Sequence, residues 1–137
     1  MPDIAENFEI ICADVLIKIK GKGLAWESGS EATVKVKINE NVEHSVADGN
    51  GPLNALDNAL HKALCSFSCL EKVRLPDYAV NVVNGISSTT AFVKVFIWFS
   101  NGEKHWTVEK TSTDIISASF QALVEGYKIA ISSSEKV

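Results

Sequence analysis

Alternating apolar and polar residues run through the first third of the chain and predict β-strands. The alternation covers residues 8–20, returns over residues 33–38 and continues, after a short turn, over residues 42–47. Residues 21–31 separate the first two of these strands and include three glycines and two serines, a composition that is typical of a loop. The pattern therefore predicts three strands with a long loop after the first.

A helical pattern follows the third strand. Asn50 or Gly51 can cap this helix, and Pro52 suits its first position, where no backbone N–H is needed. The apolar residues then recur at helical spacing and share one face: Leu53, Leu56, Ala59, Leu60, Ala63 and Leu64.

The second half of the chain repeats this scheme. It predicts strands over residues 73–83, 92–99 and 105–108. A loop is expected over residues 85–90, and an Asn-Gly turn precedes the last strand. Ser112 or Thr113 is expected to cap a second helix, which runs from Asp114 to about Ile131.

The two halves are related as an internal repeat. Residues 32–36 (Ala-Thr-Val-Lys-Val) align with residues 91–95 (Ala-Phe-Val-Lys-Val) at an offset of 59, the difference between positions 93 and 34. The same offset places Ala59, Ala63 and Leu64 on Ala118, Ala122 and Leu123. We therefore predict an α+β fold of two βββα repeats, at about residues 8–69 and 70–131, packed as a sheet-and-helix sandwich. Each repeat is too small to bury its faces alone, which favours a dimer.

Composition narrows the classes of function. A chain of 137 residues with 46% hydrophobic residues can form one globular domain, residues 1–137. Its net charge of −4 and scattered basic residues argue against a nucleic-acid partner. We expect no membrane span, no signal peptide and a cytoplasmic location. Three cysteines without framework spacing are expected to be reduced thiols.

Motifs for catalysis or metal binding are absent from the sequence. His44, His61 and His105 are isolated, without a second ligand one helical turn away. The sequence has no nucleophile elbow and no phosphate-binding loop, and Gly49-Asn50-Gly51 is only a short GxG.

The two helix starts carry the remaining candidate chemistry. The exposed N–H groups of a first turn can hold a carboxylate, and glycine allows close approach to the backbone. Asp48 or Asp114 could receive an ammonium group, so the pattern suits a small aliphatic amino acid. The alternative interpretation is a tight turn and cap with no ligand, and Tyr78 would then be a core or interface aromatic residue.

Three segments together resemble the C-terminal regulatory domain of the 2-isopropylmalate synthase and citramalate synthase family. They are residues 42–60, Asp77-Tyr78 and residues 112–123. The continuation Asn54-Ala-Leu-Asp57 and the segment at residues 118–123 are more similar to citramalate synthases.

The resemblance implies a regulatory part of a larger acyltransferase. In that family an upstream metal-dependent TIM barrel condenses acetyl-CoA with a 2-oxo acid, and this domain dimerises and binds the end product of the pathway. No barrel sequence is present in these 137 residues. The implied effector is isoleucine, or leucine, for feedback inhibition. No cofactor is expected in this domain, since the divalent metal belongs to the barrel, and the chain alone should not catalyse.

The resemblance also implies an effector site. Backbone N–H groups at the helix starts would hold the carboxylate, Asn54 or an aspartate the ammonium, and apolar side chains the aliphatic tail. The chain departs from the family at Lys110-Thr111, where Gly-Val is common, and at Asp114, where Asn is frequent. The implied site residues are Gly49, Asn50, Gly51, Leu53, Asn54, Leu75, Tyr78, Val82, Ser112, Thr113 and Asp114.

Other functions stay open at this point. A dimerisation module without effector binding would show the same repeat and the same apolar faces. A small stand-alone enzyme would need a polar constellation that the sequence does not display. We expect a truncated regulatory domain, and the alternative is a free-standing homologue that regulates a partner in trans.

Overall fold

The chain forms two compact units that meet in the sequence between Phe67 and Ser68. The structure is a computed structural model that describes residues 7–83 and 92–134. In these residues each unit has a three-stranded antiparallel sheet followed by a helix. The predicted α+β class and the twofold βββα order are thus confirmed. The predicted loop at residues 85–90 lies outside the described residues.

The first unit has the strand order β1-β2-β3, with one sheet face covered by helix α1. Alternation places every second side chain of a strand on that face, where it is withdrawn from water. The elements are β1 (Glu9–Lys22), β2 (Ala25–Ile38), β3 (Asn41–Gly49) and α1 (Pro52–Ala63). The core consists of Phe8, Ala32, Val34, Val36, Ala55, Leu56, Ala59, Leu60, Ala63 and Leu64.

The second unit opens with a short 3-10 helix and has the strand order β4-β5-β6, packed against helix α2. One face of α2 is turned to the sheet, since Ser119, Leu123, Tyr127 and Ile131 are all buried. The elements are the 3-10 helix (Ser68–Lys72), β4 (Arg74–Val83), β5 (Phe92–Ser100), β6 (His105–Ser112) and α2 (Ile115–Ser134).

The prediction of a long loop at residues 21–31 is wrong. β1 and β2 pair along their whole length and turn at Gly23-Leu24, with Gly23 at a positive φ of 63°. A two-residue turn needs this left-handed conformation, which glycine adopts without strain. The ring of Trp26 lies over Gly21 and covers the backbone that a glycine leaves bare in a strand. The glycines and serines thus give this regular hairpin a composition that is typical of a loop.

The two repeats align at a constant offset of 59, although two of their segments differ in length by amounts that cancel. Val34 pairs with Ser45, and its repeat partner Val93 pairs with Ser112. Positions 45 and 112 differ by 67, which exceeds the helix offset by 8. The second unit therefore has eight more residues between the paired positions of its last hairpin, and eight fewer between that paired serine and the aligned alanine of its helix, Ala118 in place of Ala59.

Candidate functional site

The predicted site residues fall into two groups, one in each unit. The first group lies where β3 ends and α1 begins, and the second follows β4 and the start of α2. The first group is Gly49, Asn50, Gly51, Leu53 and Asn54. The second is Leu75, Tyr78, Val82, Ser112, Thr113 and Asp114.

Gly51 is the N-cap of α1, and no side chain within the described residues caps this helix. Its carbonyl accepts the first helical bond, from the Ala55 N–H at 2.9 Å. The backbone of Gly51 is extended, with φ −154° and ψ 176°, and an added Cβ would meet nothing within 4 Å. Neither conformation nor crowding requires glycine here, and its effect is to leave the N–H groups of Leu53 and Asn54 uncovered.

Gly49 has a different role. A Cβ at this position would overlap the backbone N–H of Ala55 and lie 2.6 Å from its Cα. The missing side chain therefore lets the first turn of α1 lie directly against the end of β3. This close approach fixes where the start of the helix is placed.

Asparagine side chains hold the connection between β3 and α1. The Asn54 Oδ1 accepts the Asn50 N–H at 3.0 Å, and the Asn58 Nδ2 donates to the Asp48 carbonyl at 3.0 Å. Lys62 adds a bond from its Nζ to the Val46 carbonyl at 2.8 Å. The loop is thus held in shape by its own helix. Sequence reasoning missed Asn58, although its spacing of one helical turn from Asn54 was a visible signal.

The hairpin of β1 and β2 extends past the end of β3 and adds an apolar surface that the sequence analysis missed. Gly49 is the last paired residue of β3, opposite Ser30. Ile17 pairs with Ser30 and Ile19 pairs with Ser28, so both isoleucines share the sheet face on which α1 lies. They are 39% and 66% exposed.

The opposite face of this sheet carries a shallow cavity of about 200 Å³. Leu16, Glu31 and Asp48 form one cross-strand row there, with Lys18 beside them. Since α1 covers the other face, this cavity does not open onto the N–H groups of the helix start.

The start of α2 is capped by a carboxylate. The Asp114 Oδ1 accepts the N–H groups of Ile116 at 2.8 Å and Ser117 at 3.2 Å. The Ser112 Oγ accepts the Asp114 N–H at 3.1 Å. The capping residue is therefore Asp114, and the prediction of Ser112 or Thr113 is wrong, because the carboxylate reaches both first-turn donors. These donors are occupied, in contrast to those of α1.

The remaining members of the second group follow the edge strand β4. The Tyr78 hydroxyl lies 2.8 Å from the Ser119 Oγ of α2, which anchors a ring that is 41% exposed. Val82 pairs with Val93, which pairs with Ser112, so Val82 lies level with the last residue of β6. Leu75 is seven residues from Val82, roughly 20 Å along the strand. Tyr78 lies between the two.

Within residues 7–83 and 92–134, no three His, Cys, Asp or Glu side chains lie close enough to hold a metal ion. No helix in the same residues is long and apolar enough to cross a membrane.

Comparison with known proteins identifies the family. Residues 12–131 match the LeuA allosteric (dimerisation) domain. The chain belongs to this family. The match covers both units and therefore both groups of site residues.

Curated relatives of this LeuA domain are mainly (R)-citramalate synthases. It is 41% identical over 109 residues to that of Geobacter sulfurreducens, covering 79% of this chain and 21% of the relative. It is 43% identical over 101 residues to that of Synechocystis, which covers 73% of this chain and 18% of the relative. The 2-isopropylmalate synthase of Methanocaldococcus jannaschii is 31% identical over 105 residues, which covers 77% of this chain and 19% of the relative. The predicted greater similarity to citramalate synthases is confirmed, and the chain spans about a fifth of the length of these relatives.

Proposed function

We propose that this LeuA domain binds a branched-chain amino acid, isoleucine or else leucine, and thereby regulates an acyltransferase of the citramalate synthase type. The observation that carries the proposal is the uncapped start of α1 at Gly51. The names of the relatives support the type of enzyme, which would condense acetyl-CoA with a 2-oxo acid in a separate catalytic barrel.

The start of α1 suits the carboxylate of an amino acid. The first N–H groups of a helix carry partial positive charge, and anions bind there. Proteins usually cover them with a Ser, Thr, Asp or Asn side chain, and the extended backbone of Gly51 would accept any of these. A glycine at this position keeps the donors open. The second helix shows the contrast, because Asp114 supplies its own carboxylate.

The surrounding residues suit the rest of the ligand. The side chain of Asn54 would receive the ammonium, since that of Asp48 is on the sheet face away from α1, and Leu53 follows directly after the first helical residue. The second unit has a separate apolar surface on its own edge strand β4, where Tyr78 and Val82 are exposed. We assign the backbone donors of α1 to the carboxylate, and we leave Asp114 its capping role.

Regulation would arise by linkage. An amino acid that binds one conformation of a homodimer better than another shifts the activity of the attached barrel by that difference, typically about 1 to 3 kcal/mol. A homodimer is supported by the exposed apolar side chains on the sheet face away from α1, Leu16, Val42 and Val46.

Thermal unfolding with isoleucine, leucine, valine and an unrelated polar amino acid tests the proposal. A bound effector stabilises the folded chain by about 2.7 kcal/mol at 100 times its Kd, so one branched-chain amino acid should raise the Tm. Equal melting temperatures in all four solutions would reject effector binding. That result would leave the alternative, a dimerisation module without an effector.

Gly51→Asp is expected to stabilise the chain and to weaken effector binding. The new carboxylate caps α1 as Asp114 caps α2, which adds about 0.5 to 1 kcal/mol to the free energy of unfolding. It also occupies the place of the effector carboxylate and repels its charge. The measurement compares Tm with and without the effector. Gly51→Asn is the matched control, since it caps without charge and should impair binding less. An undiminished shift in Gly51→Asp would place the carboxylate elsewhere.

A further inference from the structure

We propose that the outer edge of strand β1 pairs antiparallel with the same strand of a second copy, centred on Leu16, and joins two sheets into one. This inference rests on the homodimer of the proposed function and deepens it, because it names the segment that meets its copy and the register of the contact. It does not depend on effector binding.

The outer edge of β1 is open. Strand β1 is the first strand of the sheet order β1-β2-β3, and no strand within residues 7–83 and 92–134 pairs with its outer side. Alternate residues of an edge strand direct their backbone N–H and C=O groups away from the neighbouring strand. β1 is 14 residues long and contains no proline, so it offers a long row of backbone donors and acceptors to a further strand.

The other edge strands are less suited to pair with their own copies. β4 contains Pro76, which has no backbone N–H to donate. β3 carries Glu43 and Asp48 but neither lysine nor arginine, so two copies of it would bring carboxylates together without a strong base. In β6, Glu109 and Lys110 each form a salt bridge within the second unit. The edge of β1 is therefore the one that a second copy fits best.

The sequence of β1 is self-complementary about Leu16. When a two-fold axis passes through the sheet at Leu16, Lys18 lies opposite Asp14 of the second copy, and Asp14 lies opposite its Lys18. Leu16 then faces its own copy, and Val15 faces Ile17. A centre at either neighbouring residue would place Leu16 opposite Asp14 or Lys18. A centre at Asp14 or Lys18 would place two like charges opposite each other, which is destabilising.

The two charged residues of this register have no partner within one copy. Asp14 and Lys18 are exposed, and neither forms an ion pair within the part of the chain that the structure describes. They are four residues apart on one strand, or roughly 13 Å, which is too far for them to pair with each other. A lysine on an edge strand opposes pairing with unrelated chains. A second copy of β1 supplies the carboxylate that matches it.

The apolar side chains of β1 also match in this register. Ile17 and Ile19 are 39% and 66% exposed, on the sheet face that carries α1. In the pair they lie opposite Val15 and Ala13 of the second copy on that same face. Leu16, which is 56% exposed, meets its own copy on the other face. Pairing therefore removes apolar surface from water on both faces of the joined sheet.

Charge reversal at Asp14 and Lys18 tests the inference. Asp14→Lys and Lys18→Asp each place like charges opposite each other at two points of the homodimer, so each should raise the Kd of the dimer about tenfold or more. The double variant restores both opposite-charge pairs and should dimerise as the unchanged chain does. Analytical ultracentrifugation measures the Kd values, and circular dichroism checks that these exposed substitutions leave the fold intact.

A mixture of the two single variants is a sharper test. One copy then has only positive charges at the two positions and the other only negative charges, so an equimolar mixture should form a heterodimer more readily than either variant forms a homodimer. Lys37→Asp is the matched control for Lys18→Asp. Lys37 is exposed on the same sheet, but on the central strand β2, so its reversal should leave the Kd of the dimer unchanged.

Three results would overturn the inference, and they are distinguishable. Unchanged Kd values in both single variants, with no preference for the heterodimer, would show that the copies meet elsewhere than at β1. An equal loss in Lys37→Asp would show that the face of the sheet, or net charge, governs association instead of the edge. If the unchanged chain is monomeric at every concentration, the proposed homodimer itself fails, whereas effector binding is decided separately by the thermal unfolding with amino acids.

Discussion

Replacing Gly49 by alanine is expected to destabilise the first unit by about 3 kcal/mol and to abolish effector binding. The added methyl would overlap the backbone of Ala55 and approach the carbonyl carbon of Asn54 to 2.8 Å. Because both contacts are backbone atoms of a packed helix, no rotamer change relieves them, and the first turn of α1 must move off β3. Urea unfolding and amino-acid titration of the variant measure the two effects.

Gly51→Ala is the matched control for this prediction. It adds the same methyl group two residues later, where the backbone is extended and nothing lies within 4 Å. Its cost should stay below about 1 kcal/mol, the difference between glycine and alanine at an N-cap. If both variants were equally stable, the close approach of α1 to β3 would not constrain the fold.

Gly126→Ala is expected to destabilise the second unit by about 2 kcal/mol, although alanine is the better helix former by about 1 kcal/mol. A Cβ at Gly126 would overlap the ring of Phe99, which is only 1% exposed. That ring cannot move away, since it stacks on the Trp106 ring and packs edge-on against the Tyr127 ring, with centroid distances of 5.7 Å and 5.8 Å. The Gly126 carbonyl also accepts the Trp106 indole N–H at 3.0 Å. Chemical unfolding followed by tryptophan fluorescence measures the loss.

Two further variants test the cause of this effect. Gln121→Ala, at an exposed position of the same helix, should be neutral or slightly stabilising. Adding Phe99→Leu to Gly126→Ala should recover part of the loss, because the smaller side chain makes room for the methyl group. Additive losses in the double variant would show that the ring is not what Gly126 accommodates.

The fold was largely predictable because its periodic signals are strong. Val34 and Val36 alternate with lysines, and Leu56 and Leu60 recur at helical spacing, so burial of one face dictates strand or helix in each case. The internal repeat could be found because Val34 and Val93, and Ala59 and Ala118, keep one offset. The hairpin at Gly21 to Ser30 was missed because glycine and serine have low strand propensity, and long-range pairing overrides propensity.

The candidate site was predictable in its location and not in its details. Pro52 after Gly51 marked the helix start, but the sequence does not show whether a side chain covers the donors. That depends on rotamers and on hydrogen bonds such as Asn54 to Asn50. Both helix starts offer candidate donors in the sequence, and only the folded chain shows that Asp114 occupies those of α2.

The sequence by itself determined the repeat, the order of strands and helices, and the family, because each follows from local periodicity and from short runs of residues. Tertiary structure alone decided which glycine is required by packing, which helix start is open, and which side chains lie beside it. Gly49 and Gly51 are two residues apart and indistinguishable in sequence, yet one touches the backbone of Ala55 and the other touches nothing. Contacts between segments distant in the chain create that difference, and only the folded chain contains them.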